Sequence, residues 1–107
     1  EDERALNIIR NYDKYKSEKR IALVIGNGKY PKDLSLKNPT NDSRAMKKVL
    51  EKVGFEIIYG ENLTREQFSK ILAKFQKRLK KNGGVGLFYY AGHGMESDGI
   101  NYLIPID

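Results

Sequence analysis

Three short runs of apolar, strand-favouring residues, each separated from the next by a helix-periodic stretch, constrain this chain more than any other feature. The first, Ile21-Ala-Leu-Val-Ile-Gly26, is continuous rather than alternating. A run of that kind suits a strand buried on both faces, as in a parallel sheet between helices. Phe55 to Tyr59 and Val85 to Ala91 are the other two. Between the first pair, Asn41 or Asp42 is expected to cap a helix whose apolar stripe is Ala45, Met46, Val49, Leu50 and Val53, with Gly54 as its stop. Between the second pair, Thr64 and Gln67 have capping-box spacing. Phe68, Ile71, Leu72, Phe75 and Leu79 follow at helical spacing, and Asn82-Gly-Gly84 ends the run. Strand, helix, strand, helix, strand predicts an α/β fold with a mainly parallel sheet and helices on its faces.

The flanks read less sharply. Ala5, Ile8, Ile9, Tyr12 and Tyr15 recur at spacings of three and four, predicting an amphipathic helix over residues 1–18 that docks on the body at 19–107. Gly28, Pro31 and Pro39 mark residues 27–41 as a loop, and Asp98-Gly99 predicts a turn into one last extended piece, Ile100 to Ile106. With 107 residues there is room for one domain. The outer edge of the third strand needs a neighbour, because unpaired edges of apolar strands are adhesive. A companion chain, a dimer mate or the Ile100–Ile106 piece is expected to cover it. A chain starting at Glu1 rather than Met is expected to be a piece of something longer, from which a targeting signal could have been removed.

Charge excludes little. Twenty Lys plus Arg against fourteen Asp plus Glu give a net charge of +6. Lys77, Arg78, Lys80 and Lys81 read as a solvated face near a helix C-terminus, where cations are favourable. No aromatics interleave with them to stack bases, so a nucleic-acid partner is not expected. No apolar run approaches the roughly 18 residues that span a bilayer, so a membrane partner is not expected either. With no cysteine and one histidine, neither a disulfide framework nor a zinc site is supported, and no cofactor is implied.

In open α/β sheets, sites gather beyond the carboxyl ends of the strands. Two tips qualify, Gly26-Asn-Gly28 and Gly92-His-Gly94, and they become neighbours if the first strand lies between the other two. The first tip lacks the third, helix-opening glycine of a dinucleotide fingerprint, so its glycines more simply permit a tight exit from the strand. The second holds the only histidine, His93, whose imidazole can shuttle a proton near neutrality. The N–H of Gly94 is placed to meet a developing oxyanion. A surface histidine in a glycine turn is the plain alternative. Ser43 and Ser97 do not sit on the strand-to-helix elbow that a serine nucleophile needs.

Five segments then occur in order: Arg20-Ile-Ala-Leu-Val-Ile-Gly-Asn27, Leu36-Lys-Asn-Pro-Thr-Asn-Asp42, Gly54-Phe55, Phe88-Tyr-Tyr-Ala-Gly-His-Gly94 and Asn101-Tyr-Leu-Ile-Pro-Ile-Asp107. Together they resemble the N-terminal half of the bacterial caspase-like peptidases, kin to metacaspases and paracaspases, across residues 20–107. The resemblance implies a caspase-like three-layer α/β/α sandwich, incomplete in this chain, and cysteine endopeptidase activity on peptide or protein substrates. It makes His93 the base and Gly94 an oxyanion N–H. It also implies that the cysteine lies in a further C-terminal portion or subunit. Animal caspases hold substrate aspartate with an arginine, and Leu36 stands at that place here. Metacaspases use an acid that aligns with Asp42, implying cleavage after Arg or Lys; a plain helix cap is the competing role for Asp42. A catalytically inactive, regulatory caspase-like module is the alternative for the whole chain.

Overall fold

The computed structural model describes residues 19–107. The helix expected over residues 1–18 lies outside them. Strand β1 (Arg20–Gly26) leads through a short 3-10 turn at Lys32–Leu34 to helix α1 (Asn38–Lys52). Strand β2 (Glu56–Glu61), helix α2 (Arg65–Asn82) and strand β3 (Val85–Ala91) follow. A hairpin of β4 (Gly94–Ser97) and β5 (Ile100–Leu103) comes last.

The sheet has the order β2-β1-β3, all parallel, with Gly26 opposite Glu61 on one side and Ala91 on the other. Its central strand explains the layering. Ile21, Leu23 and Ile25 point to one face and pack with Phe68 and Phe75 of α2. Ala22 and Val24 point to the other face and pack with Leu50 of α1 and with Phe55. Successive strand residues alternate faces, so an unbroken apolar run feeds two cores at once. Each fully buried branched side chain there contributes about 1.5–3 kcal/mol of transfer free energy. The result is an α/β/α sandwich.

Helix α2 begins and ends where its signals lie. The Thr64 hydroxyl accepts from the Gln67 N–H at 3.3 Å, and the Gln67 side chain accepts from the Thr64 N–H at 3.0 Å. Gly83 leaves the helix at φ 66°, a conformation that costs glycine little. Its basic residues do crowd the end of the helix, with Lys80 and Lys81 in the last turn.

Helix α1 departs from the expected start. It begins at Asn38, so Asp42 lies inside it rather than at its cap, and no side chain caps its first turn. The Asn-Pro pair suggested a loop. Proline, however, is equally at home in a first helical turn, where its missing N–H would have had no partner.

The turn expected at Asp98-Gly99 is present, and residues 94–103 fold back across it, Gly94 facing Leu103 and Ser97 facing Ile100; the last strand ends at Leu103 rather than Ile106. The hairpin forms its own two-stranded sheet and does not cover β3. Strand β3 therefore has β1 on one side and no strand on the other among the described residues, and its Phe88 is 43% exposed.

Candidate active site

The β1 and β3 tips do lie side by side, with the Asn27 N–H bonded to the Ala91 carbonyl at 2.8 Å. Close packing accounts for the glycines at the tip of β1. A Cβ on Gly26 would stand 2.6 Å from the Pro39 carbonyl oxygen of α1, and one on Gly28 would stand 2.5 Å from that of Leu36.

Asn27, between those glycines, is fully buried. Its side-chain oxygen accepts the Leu63 N–H at 2.9 Å, and its amide reaches the Ile104 carbonyl at 3.5 Å. Asn62 holds the adjoining loop, its side-chain oxygen accepting the N–H groups of Gly28 and Lys29, each at 2.9 Å. The loop after β1 is thus tied down at its start.

That loop reaches His93. The Leu34 carbonyl lies 2.7 Å from His93 Nε2. A carbonyl only accepts, so in the neutral imidazole Nε2 carries the hydrogen and Nδ1 keeps its lone pair. The ring of Tyr30 packs against the imidazole, centroids 4.5 Å apart and planes tilted by 60°. The backbone of His93 is held as well: its N–H donates to the Tyr30 hydroxyl at 3.0 Å, and its carbonyl accepts from Tyr90 Oη at 2.7 Å and Ile104 N–H at 3.0 Å. Burial and the Tyr30 hydroxyl push the Tyr90 phenol far above the ordinary tyrosine range, so it remains a neutral donor.

Gly92 is required sterically. A Cβ there would sit 2.6 Å from the Tyr90 hydroxyl oxygen and 2.9 Å from that of Tyr30. Gly94 is exposed and opens β4. His93 and Ile104 exchange a ladder bond, and antiparallel pairs alternate between bonded and non-bonded. Gly94 and Leu103 therefore form a non-bonded pair, and the Gly94 N–H points away from β5.

Residues 19–107 match the Peptidase C14 family, the caspase domain. The chain belongs to the caspase-domain family. Over 88 residues it is 34% identical to mucosa-associated lymphoid tissue lymphoma translocation protein 1 of Homo sapiens, covering 82% of this chain and 11% of that protein. It is equally similar to the Mus musculus homolog, of which the match covers 10%. The chain thus spans about a tenth of the length of the curated relatives it matches.

His93 sits half-buried in the turn at the carboxyl edge of the sheet, and with Nε2 on the Leu34 carbonyl its Nδ1 is the ring nitrogen left with a lone pair in the neutral imidazole. Asp42 is not drawn into the His93 cluster. It lies in α1, exposed, and makes no ion pair among the described residues. Its neighbour Ser43 is fully buried at the same end of the sheet, bonded to the Thr40 carbonyl at 3.0 Å and the Tyr59 hydroxyl at 2.8 Å. Tyr59 donates to Glu61 at 2.6 Å, and Arg44 grips Glu61 through two nitrogens at 2.5 and 2.8 Å. The Arg44 guanidinium holds the Glu61 carboxyl below the usual carboxylate range.

Sequence reasoning missed Tyr30, Leu34, Tyr90 and Ile104. The available signal was a lone aromatic in a glycine- and proline-marked loop beside a strand tip, and it pointed to no particular partner.

Proposed function

We propose that this chain supplies two parts of a caspase-like cysteine endopeptidase: His93 as general base and the Gly94 N–H as an oxyanion donor. The observation that carries the proposal is the bond between His93 Nε2 and the Leu34 carbonyl, which leaves Nδ1 free to accept a proton. Because the chain contains no cysteine, the thiol comes from a further segment or subunit. The outer edge of β3, without a neighbouring strand among the described residues, is where such a segment would add its strand.

In this scheme Nδ1 takes the thiol proton as sulfur attacks the scissile carbonyl carbon. The oxygen becomes an oxyanion facing the Gly94 N–H. Collapse breaks the C–N bond, and the imidazolium returns the proton to the departing amine. A water deprotonated by the same nitrogen then attacks the acyl carbon, the C–S bond breaks to release the acid, and the departing sulfur takes the proton back from the imidazolium.

Asp42 would set the specificity. A carboxylate at the pocket floor attracts Arg or Lys at P1 and repels Asp, since the wrong substrate brings two like charges together. Asp42 is not a helix cap, so Asp42→Asn removes the charge at nearly constant shape without removing a capping bond.

The test uses the complete protein. It should cleave peptides after Arg or Lys, iodoacetamide should block it, and His93→Ala should lower kcat at least about 10²-fold. Activity that survives iodoacetamide, yet is lost in His93→Ala, sinks the cysteine assignment. A complete protein with no cysteine beside β3 makes the chain a regulatory module instead. An Arg preference untouched by Asp42→Asn removes Asp42 from the pocket.

A further inference from the structure

The β4–β5 ladder has an interruption at its open end, and the interrupting group is a side chain. His93 and Ile104 occupy the next bonded position beyond Met95 and Tyr102 in the antiparallel register. Such a pair normally exchanges two bonds. Only one is direct, from Ile104 N–H to the His93 carbonyl at 3.0 Å. The second is relayed through Tyr30: the His93 N–H donates to Tyr30 Oη at 3.0 Å, and Tyr30 Oη donates to the Ile104 carbonyl at 2.8 Å.

We infer that Tyr30 is a positioning residue for His93, its hydroxyl wedged into the ladder so that the imidazole stands against the Leu34 carbonyl; this rests on His93 being the base. A relay through one oxygen separates the two backbones more than a direct bond does. Without it, the His93 N–H closes directly onto Ile104 and draws the turn toward β5, away from Leu34.

Tyr30 suits the task in three respects. It is 5% exposed, so its ring direction is fixed by packing. The same ring covers one face of the imidazole. It also shares its loop with Leu34, and that loop is closed on itself. The Ser35 hydroxyl donates to the Tyr30 carbonyl at 2.9 Å, and the Leu36 N–H donates to that of Gly28 at 2.8 Å. One rigid loop therefore grips the backbone, ring face and Nε2 of the same histidine.

The test is nitrogen-15 NMR of the imidazole, unambiguous because the chain has one histidine. In the wild-type chain the Nε2–H tautomer should dominate, with cross-relaxation between Tyr30 and His93 ring protons. Tyr30→Phe keeps the ring and removes the relay. It should mix the tautomers and speed Nε2–H exchange on the order of tenfold, the cost of about one hydrogen bond. Glu61→Gln, at a side chain bonded to Arg44 and Tyr59 rather than to Tyr30 or His93, should not change the tautomer.

In the complete enzyme Tyr30→Phe should lower kcat roughly tenfold to hundredfold with little change in KM, as misplacement of a reacting group does. An unchanged tautomer in folded Tyr30→Phe overturns the proposal. If that variant fails to fold, absent ring-to-ring cross-relaxation in the wild type overturns it instead. A shifted tautomer with unchanged kcat, where His93→Ala inactivates, overturns the positioning role and leaves the base assignment standing. Activity that survives His93→Ala removes the base assignment, and the wedge is then decided by the NMR alone.

Discussion

Two tyrosines close the carboxyl end of the sheet, and they are wired in opposite ways. Tyr90, on β3, lies among neutral partners: the carbonyls of His93 and Ile104 and the hydroxyl of Tyr30. Tyr59, on β2, donates to a carboxylate held by a guanidinium, with Lys47 Nζ 5.2 Å from its ring centroid. The difference teaches what each tip is suited to do. Neutral, partly buried bonds hold a geometry whatever the salt, whereas an exposed ion pair is screened and contributes little. The neutral tip is the one that carries the histidine.

Four substitutions would break or sharpen this contrast. The largest effect should come from Asn27→Leu, which strands the buried Leu63 N–H and removes a donor to Ile104. Chemical denaturation should show a loss of about 3 kcal/mol, the upper range for a buried group left without its partner. A loss under about 1 kcal/mol would mean that the neutral tip is not the more rigid one.

Next comes Gly92→Ala. Its methyl would collide with both tyrosine hydroxyls, and overpacking of this kind costs about 1–3 kcal/mol. The His93 resonances should move with it; stability loss without such movement would detach Gly92 from the histidine.

On the charged tip, Ser43→Ala removes one buried hydroxyl between Thr40 and Tyr59 and should cost about 1 kcal/mol. A value equal to that of Asn27→Leu would erase the difference between the tips.

The smallest effect is expected from Glu61→Gln, within about 0.5 kcal/mol at neutral pH because its partner Arg44 is largely exposed and Gln keeps an acceptor for Tyr59. Its signature is pH dependence. The folded Glu61 pKa is lowered, chiefly by Arg44, so its contribution is present above the ordinary glutamate range and disappears as pH falls through the depressed folded value. The Gln variant should lack that part of the acid limb, and high salt should shrink it in the wild type. An acid limb identical in both proteins would refute the assignment.

Much of this architecture follows from short-range signals. β3 runs from Val85 to Ala91 as its apolar run indicates, and α2 has the predicted Thr64–Gln67 box. Such signals are legible because strand alternation and helix caps involve residues a few positions apart. Where one local signal fits two structures, legibility fails. Pro39 suits a loop or a first helical turn, so the α1 cap lies at Lys37, four or five positions before the expected Asn41 or Asp42. Residues 100–106 suit a strand, and the adjacent Asp98-Gly99 marks the turn before it, but the local pattern does not say that the strand pairs with residues 94–97 rather than with β3.

By itself, then, the sequence determined the alternation of strands and helices and the placement of His93 just past a buried strand, while the sheet order β2-β1-β3 made the two strand tips neighbours. Apolar periodicity and glycine punctuation act within a few residues and need no partner to be read. The tertiary structure alone decided which groups hold that histidine. Leu34 lies 59 positions away, Tyr30 is 63 away, and the Tyr30 bond to Ile104 spans 74. These contacts depend on the parallel pairing of β1 and β3, which brings the loop after one strand against the turn after the other. A hydroxyl completing another segment's ladder leaves no periodic trace in the chain, since any tyrosine in a loop reads the same until the sheet brings it to its partner.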